Sequence, residues 1–268
     1  MEFFDSHAHY NDEKFEIDRD EVISSVKAEG ITRLVSVGYS VEASKFAEKL
    51  SDKYEFIYYS CGISPNDLPQ TEDELWKKLE EIKKIANQKH KKLVAIGEIG
   101  LDYYWNKENM DLQKLAFIEQ IKLANELELP IIIHTREAVV DTIDILKNKQ
   151  ESINKGIFHC CPLNRELVKE ALKLGYYISF AGPITFKNSK NANEIIEMVP
   201  IDKILIETDS PYLSPEPNRG KRNDSSNIDY VIDKIAQIKN LSAVEVERTA
   251  EENAYKLFKK IKNSCGRG

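Results

Sequence analysis

The sequence predicts an α/β fold, a single (β/α)8 barrel of the TIM type that spans residues 1–268 as one domain. Short apolar runs alternate with longer amphipathic segments, and eight such units follow one another. No long linker or shift in composition divides them, and eight units favour a closed barrel over an open doubly wound sheet. Length alone would also suit two modest domains, but 41% hydrophobic residues can supply one large core.

Each unit contributes one apolar run as a strand candidate. The first two helices are expected at about Asp18–Glu29 and Val41–Ser51. The region from Asn227 to Ile261 predicts two helices that separate near Asn240 and close the barrel, with Ser242 as a cap. The eight predicted strands are Phe3–Phe4, Thr32–Val37, Phe56–Cys61, Leu93–Ile96, Pro130–Ile133, Gly156–Phe158, Tyr176–Ser179 and Lys203–Ile206.

Charge and cysteine usage limit the class of protein. A net charge of -7 argues against a broad basic nucleic-acid-binding face, although a small basic cluster or bound cations can still attract phosphates. No signal region opens the chain, and no apolar run approaches membrane-spanning length. The four cysteines (Cys61, Cys160, Cys161 and Cys265) fit neither a zinc ribbon nor a disulfide framework. We therefore expect free thiols in a cytoplasmic protein, with no membrane association and no obligate protein partner.

The first strand ends in Asp5-Ser-His7-Ala-His9. Because side chains alternate along a strand, His7 and His9 project to the same side and can share one metal ion. A second candidate ligand is Glu98, which glycines flank at the end of the fourth strand. Taken alone, Glu98 could equally cap a helix or form an ion pair, and Asp102 could be a loop acid or the partner of a metal-bound histidine.

Two more histidines, His134 and His159, each follow a predicted strand directly. The carboxyl ends of parallel strands are where a barrel of this kind places its active site. Of the five histidines only His90 lies elsewhere, in a Lys-rich segment. This distribution indicates a metal centre rather than scattered structural histidines.

The last strand, Lys203–Ile206, is followed by two carboxylates, Glu207 and Asp209. Asp209, beyond the apolar run, is the better placed to complete a metal site, with Glu207 behind it. Four histidines and two carboxylates exceed what one tetrahedral zinc needs and suit two divalent ions, whether Mg, Mn or Zn. The predicted metal ligands are His7, His9, Glu98, His134, His159 and Asp209, with Glu98 as the bridge between the ions.

These residues belong to ordered motifs along the whole chain that resemble those of TatD-type metal-dependent hydrolases, a branch of the amidohydrolase-like barrels. The matching segments are Asp5–His9, Gly97–Tyr104, His134–Arg136, His159–Cys160, Glu207–Leu213 and Arg219–Asn223. The resemblance implies a metal-dependent deoxyribonuclease, with His7, His9, Glu98 and Asp209 around one ion and Glu98, His134 and His159 around the other. It further implies that Asp209 accepts a proton from a metal-activated water, while Glu207 orients a ligand or water.

Two departures from the family stand out. The family commonly has Gly-x-His-Pro after its third strand, where this chain has Gly62-Ile-Ser64-Pro65, and Asn223–Asn227 lacks an expected proline. Ser64 can donate a hydrogen bond to a phosphate but carries no charge, so substrate preference could differ. The other candidate phosphate-binding residues are Arg136, Arg219, Lys221 and Arg222, although a solvated basic loop would explain the last three equally well.

DNA is thus the expected substrate, cleaved at its phosphodiester bonds. Two alternatives stay open: a metal-dependent hydrolase of an ester or amide, such as an aminoacyl end of RNA, and a noncatalytic binder that retains the barrel. Tyr103, Tyr104, Trp105 and Tyr212 lie on loops at the same edge and could stack on bases or pack the loops.

Overall fold

A computed structural model describes residues 2–88 and 90–261, and it confirms the barrel. The strands form one parallel sheet in which each pairs with its neighbour along the chain, in the order β1 to β8. They are β1 Phe3–Ala8, β2 Ile31–Val37, β3 Ile57–Cys61, β4 Leu93–Asp102, β5 Ile131–Arg136, β6 Gly156–Phe158, β7 Tyr177–Phe180 and β8 Ile204–Ile206.

Helices connect the strands on the outside of the barrel. Several begin with a side-chain cap: Ser40 accepts the amide of Ala43, and Thr71 accepts that of Glu74. The helices are α1 Arg19–Ala28, α2 Val41–Lys53, α3 Glu72–Ala86, α4 Met110–Glu126, α5 Val139–Asp144, α6 Arg165–Lys173, α7 Ala192–Met198, α8 Ile228–Lys239 and α9 Ala243–Leu257. A π-helical turn, Ile145–Lys149, continues α5.

The barrel closes where the end of β1 meets the segment that follows β8. The amide of Asp209 donates to the carbonyl of His7 at 2.9 Å, and the amide of His9 donates to the carbonyl of Ser210 at 2.6 Å. Backbone hydrogen bonds therefore join the first histidine motif directly to the last acidic one. Closure of the fold and assembly of the candidate site share the same contacts.

The opposite end of the barrel is covered by α9. Its residues Ala254 and Leu257, with Phe258, pack against buried strand residues such as Val94 and Leu205. The ring of Phe258 stacks on that of Phe4, with 6.1 Å between centroids. This arrangement confirms that the terminal helices close the barrel, and it leaves the carboxyl edge of the strands for chemistry.

The strand predictions are confirmed in position, but three strands extend farther than their apolar runs. β1 includes His7, β4 continues through Glu98 to Asp102, and β5 includes His134. Polar residues can extend a strand where the barrel buries them, because their backbone groups still pair with the neighbouring strands. All ten residues of β4, for example, are buried. The helices also lie close to expectation, and Ser242 and Glu245 form the predicted capping box at the start of α9.

The thiols of Cys61, Cys160 and Cys161 are free, as expected, whereas Cys265 lies outside the described residues. Within residues 2–88 and 90–261, no helix combines the length and apolar character that crossing a bilayer requires.

We expect Gly100→Ala to destabilise the barrel by more than about 3 kcal/mol. Gly100 has φ +141°, and a Cβ there would lie 1.9 Å from the carbonyl oxygen of His134. Gly220→Ala is the control, because Gly220 also has a positive φ, +88°, but no heavy atom within 4 Å of an added Cβ. Urea unfolding of both variants measures the difference, and equal losses would contradict the steric argument.

Candidate metal centre

The two histidines of β1 meet at the carboxyl edge, as the alternation of strand side chains predicts. The Nε2 atoms of His7 and His9 lie 3.0 Å apart, and both side chains are buried. Nδ1 of His9 lies 3.1 Å from the carbonyl oxygen of Val37. Because a carbonyl can only accept, Nδ1 carries the proton and Nε2 directs its lone pair at the cluster.

Glu98 lies between this pair and the pair formed by His134 and His159. Its Oε2 is 3.5 Å from Nε2 of His7 and 3.6 Å from Nε2 of His9. Its Oε1 is 3.2 Å from Nδ1 of His134 and 3.5 Å from Nε2 of His159. One carboxylate therefore faces two histidine pairs, each with a different oxygen.

Asp209 completes the cluster on the side of His7 and His9. Its Oδ1 lies 3.3 Å from Nε2 of His9 and 3.5 Å from Nε2 of His7. The residue has φ +57°, a left-handed conformation that aspartate tolerates better than most residues. The turn after β8 thereby directs the carboxylate back over the end of β1.

Two further carboxylates lie behind the second histidine pair. Oδ2 of Asp102 is 2.9 Å from Nε2 of His134, and Oε1 of Glu207 is 3.4 Å from Nδ1 of His159. The same Glu207 oxygen accepts the amide of Cys160 at 2.6 Å. Carboxylates in this position fix the orientation of histidine ligands.

The donor set fits divalent cations. Three groups have ligand atoms that all lie within 4.8 Å of one another: His7, His9 and Glu98; His7, His159 and Asp209; and Glu98, His134 and His159. Imidazole nitrogens and carboxylate oxygens are ligands for zinc, manganese and magnesium. Glu98 belongs to the first and third groups, whereas Asp209 is grouped with His7 and His159 rather than with His9 and Glu98. That two ions bind here stays a prediction.

The local electrostatics keep the acids ionised. Burial would raise the pKa of Glu98, but His159, followed by hydrogen bonds from His134 and His7, outweighs it and holds that pKa well below its usual value. Burial would also raise the pKa of Asp209, but a hydrogen bond from His9 and the charge of His7 outweigh burial. The pKa of Asp209 is therefore lowered. Both side chains are therefore carboxylates at neutral pH, the form that binds a cation.

The cluster opens into a cleft of about 930 Å³. Arg136 lines it, with its guanidinium 3.8 Å from the ring centroid of Tyr104 and 5.5 Å from that of Trp105. We call Tyr104, Trp105 and Arg136 the aromatic platform. His9, Glu98, His134, His159 and Asp209 line the same cleft, whereas His7 is buried beneath it.

The structure places the other predicted substrate contacts outside the lining of this cleft. Ser64 is buried and donates to Asp67 at 2.7 Å. Arg222 forms a bidentate ion pair with Asp18. The guanidinium of Arg219 lies over Phe186, and Nζ of Lys221 contacts Asn218. Their roles in substrate binding, and a catalytic role for Glu207, stay predictions.

Several residues of the cleft wall were not predicted from the sequence. They come from the loop after β6, with Asn66 from the loop after β3 and Val139 from the start of α5. In the sequence they are recognisable only as residues that follow a predicted strand. That position does not show which of their side chains face the cleft. The loop residues are Cys160, Cys161, Pro162, Leu163 and Asn164.

Comparison with known proteins agrees with this geometry. The family described as TatD related DNase matches residues 4–259. The chain belongs to the TatD-related DNase family. An uncharacterized metal-dependent hydrolase of Bacillus subtilis, YabD, is 43% identical over 96% of this chain and 98% of its own length.

Two further proteins extend the comparison. An uncharacterized metal-dependent hydrolase of Escherichia coli, YcfH, is 33% identical over 96% of each chain. The crystal structure of YjjV, a TatD homologue from Escherichia coli, superposes with a TM-score of 0.89 at 25% identity, covering 96% of this chain and 98% of that one. The family is thereby shown over residues 4–259, and the superposition on YjjV agrees with the barrel.

Divalent ions should stabilise the folded protein, because the donor cluster forms only in the native state. At a free ion concentration about 100 times Kd we expect about 2.7 kcal/mol, or a rise in Tm of roughly 5–10 °C. Calorimetric melting of chelator-treated protein with and without added ion measures it. Glu98→Gln should reduce the shift, whereas Glu81→Gln, at an exposed ion pair with Lys45, should not. The same shift in both variants would place the binding elsewhere.

Proposed function

We propose that this TatD-family protein is a metal-dependent deoxyribonuclease that hydrolyses phosphodiester bonds with two divalent ions, Mg, Mn or Zn. Membership of the family makes it a metal-dependent hydrolase. What we propose in addition is that its substrate is DNA and that it binds two ions. The observation that carries it is Glu98, which presents one oxygen to His7 and His9 and the other to His134 and His159. Bound ions in such a pair stabilise the attacking and leaving oxygens of a phosphate ester.

The side chains of this chain divide the remaining work. His7, His9, Glu98, His134, His159 and Asp209 would hold the ions. Asp209 borders the cleft and stays ionised, so one of its carboxylate oxygens accepts a proton from the attacking water. Arg136, at the cleft wall, pairs with a phosphate of the substrate through its planar guanidinium.

Metal-loaded protein should cleave DNA, and chelation should abolish the cleavage. Glu98→Ala and Asp209→Asn should each lower the rate at least about 100-fold, the upper end of what residues behind metal ligands cost. A gel assay with single-stranded and duplex DNA, each tested with Mg²⁺, Mn²⁺ and Zn²⁺, measures this. Asp202→Asn, at an exposed acid just before β8, should retain full activity. Cleavage that persists in Glu98→Ala would point to a contaminating nuclease.

Arg136→Ala should raise KM for DNA about 10- to 100-fold, because a hydrogen bond to a charged group contributes about 1.5–3 kcal/mol. Arg248→Ala is the matched control: this exposed arginine lies on α9, which covers the opposite end of the barrel, so its loss should leave KM unchanged. Steady-state kinetics with a fluorescent oligonucleotide separate KM from kcat. A larger effect of Arg222→Ala would move the phosphate contact to the loop after β8.

The composition of the cleft also favours a second candidate, hydrolysis of an ester such as an aminoacyl end of RNA. Among the described residues that line the cleft, Arg136 is the one Lys or Arg, and Val139, Pro162, Leu163 and Leu213 give it an apolar wall. The apolar part of an acyl group would fit that wall. Acyl esters assayed beside DNA, with the same Glu98→Ala variant, distinguish the two substrates.

A further inference from the structure

Asp102, the last residue of β4, contacts two different parts of the site. It is completely buried, and its Oδ2 lies 2.9 Å from Nε2 of His134. In the sheet, Gly100 is in register with His134 and Asp102 with Arg136. The carboxylate thus lies at the junction of the metal centre and the cleft wall.

The other oxygen of Asp102 holds the start of the next loop. Oδ1 accepts the amide of Tyr104 at 2.9 Å and that of Trp105 at 3.1 Å. Nδ2 of Asn66 donates to Oδ2 at 3.3 Å. Oδ1 therefore accepts hydrogen bonds from the loop after β4, while Oδ2 contacts His134 and Asn66.

The contact with His134 determines which nitrogen of that ring can bind a metal ion. A carboxylate only accepts, so Nε2 carries the proton and Nδ1 presents its lone pair toward Oε1 of Glu98, 3.2 Å away. His7, His9 and His159 face Glu98 through Nε2 instead. His134 thus presents Nδ1 to the cluster because Asp102 accepts from its Nε2, just as the carbonyl of Val37 selects Nε2 of His9.

The contact with the loop determines where the aromatic platform lies. Tyr104 is 47% exposed and Trp105, which lines the cleft, is 68% exposed, so little packing holds these rings in place. Their backbone amides are instead tied to Oδ1 of Asp102, which places Tyr104 beneath the guanidinium of Arg136. The position of both rings therefore depends on two hydrogen bonds to one nearby side chain.

We propose that Asp102 is a positioning residue that couples the metal centre to the aromatic platform. The carboxylate that orients His134 for a metal ion also orders the loop that carries Tyr104 and Trp105. Metal binding at His134 and the order of the platform are therefore linked. The use of the platform by a substrate rests on the function proposed above; the coupling itself does not.

Gln113 of α4 provides a matched control, because it holds the same loop without touching His134. Its Oε1 accepts the amide of Asp102 at 2.8 Å, and its Nε2 donates to the carbonyls of Asp102 and Asn106. These contacts of Gln113 with Asp102 are to its backbone, so loosening the loop through Gln113 should leave the Asp102 carboxylate in contact with His134. Disturbance through Asp102 should reach both the platform and the metal centre.

The experiment uses the full chain with Trp76→Phe, which leaves Trp105 as the sole tryptophan of the two in the sequence. Asp102→Asn, Gln113→Ala and His134→Gln are compared in this background. The readouts are the Zn²⁺ affinity by calorimetry, iodide quenching of Trp105 with and without Zn²⁺, and NMR of the His134 ring nitrogens in the metal-free protein. Circular dichroism establishes that each variant is folded.

Three results are expected. Asp102→Asn keeps one acceptor oxygen for the loop amides but places an NH2 group opposite Nε2 of His134, so it lowers Zn²⁺ affinity about 10- to 100-fold and removes the proton preference of His134 for Nε2. Gln113→Ala raises the quenching but leaves Zn²⁺ affinity unchanged. Zn²⁺ decreases the iodide quenching of Trp105 in the Trp76→Phe background, but not when Asp102→Asn or His134→Gln is added to it.

Unchanged Zn²⁺ affinity or an unchanged His134 tautomer in Asp102→Asn would overturn the proposal. So would quenching of Trp105 that is indifferent to Zn²⁺. Should Asp102→Asn fail to fold, Asn66→Ala, which loses one donor to Oδ2, tests the same contact through the His134 NMR signals. A failure to cleave DNA with these three results intact would contradict the function proposed above and leave the coupling standing.

Discussion

The position of the Glu98 carboxylate is the constraint on which the site depends. It must approach His7 and His9 from one side and His134 and His159 from the other, while staying buried and ionised. Such proximity requires β4 to lie very close to both neighbouring strands. An added Cβ on Gly100 would collide with the carbonyl of His134, and one on Gly62 would lie 2.9 Å from the carbonyl oxygen of Glu98. Glycines at these positions therefore serve the geometry of the carboxylate.

Electrostatics explain why cations are integral to the proposed chemistry. The protein has a net charge of -7, and its site gathers ionised carboxylates where a phosphate would bind. Among the described residues that line the cleft, Arg136 alone supplies a lysine or arginine charge. Bound divalent ions would supply the rest of the positive charge that a phosphodiester needs, in addition to their role in the reaction.

Two of the predicted substrate contacts also have partners within the fold. Arg222 is held by Asp18, and Ser64 donates to Asp67 while it accepts the amide of Asn66. Ser64 therefore organises the loop that brings Asn66 to Asp102. The departure from the family's histidine at this position bears on the loop behind the metal centre, in addition to any direct contact with a substrate.

The sequence by itself determined the barrel, the strand positions and the set of candidate ligands, because alternation of apolar runs and polar strand ends is local information. The distance from Glu98 to each histidine pair was decided by the tertiary structure, since it depends on strand register across the closed sheet. The same holds for Asp102, since the motif Gly97–Tyr104 left open whether it is a loop acid or the partner of a metal-bound histidine. Only the pairing of β4 with β5 brings its carboxylate to Nε2 of His134 and to the loop that carries Trp105.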